Sequence, residues 1–115
     1  MRVRNDTRGT EVAARVQRAD RLWDRLVGLL GRRSLDQGEG LWIEPCNSVH
    51  MFGMRFAIDV VFVDASSRVV AVVDTLRPWR MTLPVPGARS ALELPAGAAA
   101  RSGTVAGDLL TMEAS

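Results

Sequence analysis

The chain has no lysine; all fifteen of its basic residues are arginine. It has one cysteine, Cys46, and one histidine, His50. Nowhere does it have an apolar run near the roughly 20 residues that a bilayer-spanning helix needs, and stretches such as residues 60–63 fall far short. Each scarcity excludes something. A single cysteine rules out an internal disulfide framework. Two nitrogen or sulfur ligands cannot close a structural zinc site within one chain, since such sites take about four. The first residues, Met1-Arg2-Val3-Arg4-Asn5-Asp6, are charged and lead into no apolar stretch with a small-residue cleavage site, so the expected location is the cytoplasm and the expected thiol is reduced. The absence of lysine is not a phosphate-binding signature, because lysine binds phosphate as well as arginine does.

The 115 residues, 47% hydrophobic and 24% charged, suit one domain spanning residues 1–115 whose core is large enough to be stable without staples. The formal charge of +2 is unevenly placed. Residues 1–33 hold nine arginines against four acids, whereas residues 34–115 hold six against nine. A basic first third invites a nucleic-acid or acidic-partner reading, but no recognition motif accompanies it, and a solvated face is the ordinary meaning of such a bias.

Strand signals dominate. Residues 3–5 and 11–17 flank the polar, glycine-containing residues 6–10 and predict a hairpin. The strongest helix signal covers residues 20–30, with Asp20 as N-cap, Leu22, Trp23, Leu26, Val27, Leu29 and Leu30 at helical spacing, and Gly31 as terminator. Residues 57–64 and 69–75 are rich in β-branched side chains around a turn at residues 65–68, and their near-continuous apolar character predicts a hairpin covered on both faces. Residues 77–80, Arg-Pro-Trp-Arg, predict an irregular surface loop in which Trp79 folds back on its own segment. Residues 91–94 and 109–112 complete the strands, with Gly97 and Gly107 supplying positive φ in turns. The predicted architecture is α+β: a small, curved, mainly antiparallel sheet or barrel with one principal helix packed on it.

The chemistry-bearing residues gather around residues 45–54, where Cys46 and His50 stand four apart and share a side on either a strand or a helix. One reading makes Cys46 a thiolate nucleophile, His50 its base and Asp59 the orienting carboxylate of a hydrolase. A second sets Cys46 and His50 with Asp59 or Glu93 around a metal with an open position. A third lines a ligand pocket with the Cys46 and His50 pair and the adaptable thioethers and rings of Met51, Phe52, Met54 and Trp42, the ligand contacts being His50, Met54, Asp59 and Glu93. Against all three stands burial of Cys46 and His50 as ordinary core residues. Asp59, flanked by Ile58 and Val60, needs hydrogen-bond donors if it is interior, with Arg55, backbone amides and His50 as the candidates. Glu93, flanked by Leu92 and Leu94, is expected to alternate toward solvent. No cofactor and no oligomeric state is specified by these residues.

The ordered combination of residues 25–32 (Arg-Leu-Val-Gly-Leu-Leu-Gly-Arg), residues 48–64 from Ser48 through His50, Met54 and Asp59 to Asp64, and Leu92-Glu93-Leu94-Pro95-Ala96-Gly97 followed by Gly107-Asp108 resembles the domain of unknown function 192 family. The likeness covers about residues 10–112 and implies a compact β-rich bacterial and archaeal domain with no established biochemical activity. The leading functional expectation is a non-enzymatic module whose cleft lies between residues 50–59 and the turn at residues 92–97, binding a small molecule or a peptide and not a membrane. The alternatives are a metal- or thiol-dependent hydrolase using Cys46, His50 and Asp59, and an arginine-rich partner surface.

Overall fold

The computed structural model describes residues 1–19 and 34–114. The helix expected over residues 20–30 lies outside the described residues. Among the described residues eight strands form two sheets. The smaller, in the order β2-β1-β8, joins β1 (Arg2–Asn5), β2 (Thr10–Ala13) and β8 (Leu110–Glu113) through antiparallel ladders. The larger runs β3-β4-β7-β5-β6, from β3 (Arg15–Ala19) and β4 (Glu39–Ile43) through β7 (Ser90–Pro95) to the hairpin of β5 (Ile58–Val63) and β6 (Val69–Leu76). Among the described residues only β3 and β4 pair in parallel; the other ladders are antiparallel. A short helix, α1 (Ala98–Ser102), follows β7. The mainly antiparallel α+β class follows from the sequence as expected.

Two local departures have physical causes. Residues 11–17 do not make one strand, because the backbone N–H groups of Ala14 and Arg15 both donate to the Gly38 carbonyl, at 2.9 and 2.8 Å, and this bend sends β2 and β3 into different sheets. Opposite Asp59, the ladder between β5 and β6 steps from Ile58↔Leu76 to Val60↔Val73, a bulge that places Thr75 at φ 54°.

Strict alternation along the large sheet divides the interior in two. Trp42, Val61, Val63, Leu92 and Leu94 face one cluster, closed by Val3, Val12 and Leu110 of the small sheet and by Ala98 and Ala99 of α1. Leu41, Ile43, Ile58, Val60, Phe62 and Ala91 face the other, closed by Leu35, Val49, Met51 and Met54 from the loops. All six residues of β5 are buried, as the unbroken apolar pattern requires for a strand covered on both sides.

The ends of the chain are tied together by a buried polar knot. The Asn5 amide donates to Thr104 Oγ1 at 3.1 Å and to Asp108 Oδ2 at 2.9 Å, while Arg8 Nε and the Val105 N–H donate to the same carboxylate oxygen at 3.1 and 3.0 Å. The guanidinium of Arg8, helped by the Asn5 amide, lowers the Asp108 carboxyl from its ordinary 3.8 to about 2.

Candidate functional site

Beyond β4 the chain turns through a cis peptide between Glu44 and Pro45 and then runs beside residues 77–89 as an irregular two-stranded ribbon. Backbone bonds stitch it along its length: Cys46 N–H to the Arg89 carbonyl at 2.9 Å, Val85 N–H to Asn47 at 2.8 Å, Thr82 N–H to Val49 at 2.9 Å and Met51 N–H to Arg80 at 2.8 Å. The prolines at 78, 84 and 86 lack the N–H a regular ladder would use, which is why the two segments pair without becoming strands of the sheet. Val49 also donates its N–H to Thr82 Oγ1 at 3.0 Å, so the ribbon is fixed by a buried side chain as well.

The ribbon and the end of β4 enclose a hollow of about 240 Å³ whose wall includes Ile43, Pro45, Cys46, Asn47, Ser48, Val49 and His50. Cys46 and His50, paired on spacing alone, are thus brought to one cavity. Both are half-buried, and the Cys46 thiol donates to the Ser48 carbonyl at 3.2 Å. The His50 ring lies 5.2 Å from that of Phe52. At the edge, Glu44 accepts Arg89 Nε at 2.9 Å and the Trp42 indole N–H at 3.2 Å. Arg89, then Trp42, lower the pKa of its carboxyl below the ordinary 4.5.

The other expected members do not join it. Asp59 alternates with Ile58 and Val60 and so points to the opposite face of the sheet, where Val61 and Val63 pack against α1. There its fully buried carboxylate accepts the N–H groups of Thr75 at 2.8 Å, Gly97 at 3.0 Å and Ala99 at 3.0 Å. Backbone amides, rather than Arg55 or His50, are its donors. The triad of Cys46, His50 and Asp59, whether catalytic or metal-holding, is therefore replaced by a thiol and an imidazole on one face and a helix-capping carboxylate on the other. Among the described residues no three His, Cys, Asp or Glu side chains gather as metal ligands do.

Met54 is buried in the loop-side cluster and is packing rather than lining. Glu93 is fully buried, contrary to the solvent-facing expectation, because β7 is a central strand and both its faces are covered; it pairs with Val60 on one side and Leu41 on the other. The segment from Leu92 to Pro95 is likewise buried, and beyond it the Gly97 N–H bonds directly to Asp59 at 3.0 Å. What sequence reasoning missed is the wall itself: Ile43, Pro45, Asn47, Ser48 and Val49 carry no titrating group. The legible trace of the site was an absence, since residues 45–58 and 75–92 contain no acid at all.

Trp79 also departs from expectation. Its ring stacks on Phe52 across the ribbon, with centroids 6.2 Å apart and planes at 27°, rather than folding onto its own loop.

A two-sheet, mainly antiparallel β fold carrying a loop-built hollow on one face defines the structural class. The chain belongs to the DUF192 family, described as Uncharacterized ACR, whose model matches residues 3–112. It is 37% identical over 98 residues to a UPF0127 protein of Thermococcus sibiricus, covering 81% of this chain and 62% of that protein, so it spans less than two thirds of that relative's length. It is 34% identical over 98 residues to a UPF0127 protein of Pyrococcus furiosus, covering 81% and 82% of the two chains. Among solved structures, a protein of unknown function from Novosphingobium aromaticivorans superposes with a TM-score of 0.80 at 26% identity, covering 96% of this chain and 82% of that one. A Sinorhizobium meliloti protein described as a putative transcription regulator superposes with a TM-score of 0.77 at 22% identity, covering 96% and 89%, and shows the shared fold. No helix among the described residues is long and apolar enough to cross a membrane.

Proposed function

We propose that this protein is a non-enzymatic binding module of the cytoplasm that takes a small ligand, or one side chain of a peptide, into the hollow bounded by Ile43 and His50. The observation that carries this reading is the composition of that wall. Apolar surface from Ile43, Pro45 and Val49 is interrupted by a thiol, an amide, a hydroxyl and an imidazole, the mixture by which pockets combine burial with orientation. At about 240 Å³ the hollow lies below the roughly 300–1,000 Å³ of drug-sized sites, which favours a fragment-sized ligand or a single anchoring side chain. A hydrolase is supported less well, because the carboxylate that would orient His50 is committed to α1 on the far face. The arginine-rich first third is partly engaged at home: Arg2 pairs with Glu11 at 3.0 Å, Arg8 with Asp108 at 3.1 Å, and Arg15 donates to the Gln37 carbonyl at 2.9 Å.

The test is ligand-observed NMR with a set of small aromatic, aliphatic and carboxylate fragments against the wild type and Ser48→Phe. Ser48 is exposed on the wall, so the larger side chain occupies the hollow without entering the core. The reading predicts fragments that bind the wild type and are lost in Ser48→Phe with the fold intact. Fragments that ignore the substitution, or no binders at all, contradict it.

A further inference from the structure

The ribbon that forms the hollow also carries most of the large apolar surface left in water. Leu83 is 81% exposed, Trp79 68%, Met81 59% and Phe52 47%, and among the described residues only Val105 joins them as an exposed large hydrophobic. Single exposed apolar residues are ordinary, but four on one ribbon make a patch. Their order explains the grouping. Met81 and Leu83 occupy alternate positions of the segment bonded to residues 47–51, while the intervening Thr82 turns inward to Val49, and Trp79 precedes them in a turn closed by the Arg80 N–H on the Arg77 carbonyl at 3.2 Å. Met81 pairs directly with His50, and Phe52 contacts both Trp79 and His50, so the stripe runs into the wall of the hollow. Trp79 holds φ 68°, a left-handed conformation that is costly for a bulky residue and is kept here by its N–H bond to the Met51 carbonyl at 2.9 Å.

The two segments that carry the stripe hold basic residues only. Residues 45–58 and 75–92 contain Arg55, Arg77, Arg80 and Arg89 and no acid. Arg89 is neutralised by Glu44, while Arg55, Arg77 and Arg80 are exposed and make no ion pair among the described residues. An apolar stripe on segments with three exposed guanidinium groups that make no ion pair among the described residues fits an occupant that is apolar and anionic at once.

We propose that the stripe of Phe52, Trp79, Met81 and Leu83 docks an extended acidic peptide segment, its apolar side chains on the stripe and its carboxylates at Arg55, Arg77 and Arg80. The proposal rests on the binding-module reading, and it assigns the neighbouring hollow to one side chain of the same segment. A single-stranded nucleic acid would use the ring faces and the arginines but gains little from Met81 and Leu83. A lipid surface would accept the apolar side chains but has no use for the hollow.

The test uses the full chain and a fluorescein-labelled decapeptide alternating Asp with Leu and Phe. Its Asn-for-Asp counterpart, vesicles of mixed phosphatidylserine and phosphatidylcholine, and oligothymidylate serve as competitors for the assignment. The acidic peptide is expected to bind at least about tenfold more tightly than the neutral one and to weaken with salt. Trp79→Gly, which suits the positive φ, and Leu83→Ser should each weaken it about tenfold with the fold unchanged. Arg77→Gln with Arg80→Gln should abolish the preference for the acidic peptide. Equal or absent binding of the two peptides, stripe variants that bind like the wild type, or tighter stripe-dependent binding of vesicles or oligothymidylate overturns the proposal. Peptide binding that survives while Ser48→Phe alters no fragment defeats the hollow alone; fragments in the hollow without peptide binding defeat the stripe alone.

Discussion

Replacing Asp59 by Asn separates a helix-capping carboxylate from a catalytic one. In the wild type one oxygen accepts Gly97 and Ala99 and the other accepts Thr75. The amide can keep its carbonyl toward the paired donors of α1, but its NH2 group then faces the Thr75 N–H, donor against donor. One charge-assisted bond is lost and two become neutral. With such bonds worth about 1.5–3 kcal/mol and neutral ones about 1, the loss adds up to at least about 2.5 kcal/mol, near that lower end because exposed Thr75 is free to turn to water. Asp59→Ala removes all three acceptors and leaves the buried Ala99 N–H without one, which raises the loss to at least about 4.5 kcal/mol. Urea unfolding followed by circular dichroism measures both. Alkylation of Cys46 by iodoacetamide in the native state supplies a second readout, which should not change in Asp59→Asn. A variant within about 0.5 kcal/mol of the wild type, with a slowed alkylation rate, would refute the capping argument and restore Asp59 to the thiol.

Two further outcomes follow from the same coordinates. Asp108 has a folded-state pKa of about 2 against 3.8, so its contribution is full above about pH 4 and is lost as pH falls through about 2. Asp108→Asn should flatten the decline of melting temperature in that window, and an unchanged acid limb would contradict the role of the Arg8 and Asn5 contacts. Met54→Ala should cost about 2–4 kcal/mol because it empties a buried site, while fragment affinity in the hollow stays within about twofold; a loss of affinity with stability intact would return Met54 to the ligand.

The fold was more legible than the site. Residues 57–64 and 69–75 announced a hairpin through their β-branched side chains, but the expected cover on both faces holds only for β5; β6 is the edge strand of the large sheet and is mostly half-buried or exposed. The same pattern hid Glu93: its flanking leucines read equally as an edge strand with one wet face, and only the position of β7 between β4 and β5 makes it interior. Cys46 and His50 were found because a spacing of four survives either conformation. Asp59 was misassigned because one residue of register decides which face a strand side chain meets, and proximity in sequence to His50 carries no information about that face. The walls of the hollow and the stripe of Trp79, Met81 and Leu83 depend on pairing between segments about thirty to forty residues apart, held by backbone bonds that leave no mark in composition.

The most direct check on the central claim is backbone amide chemical-shift mapping of the uniformly 15N-labelled chain during titration with the fragments that bind best. The account predicts perturbations concentrated at residues 43–50 with the amides of Gly97 and Ala99 unmoved. Shifts gathered around Asp59 and α1, or spread evenly over both faces of the large sheet, would contradict it.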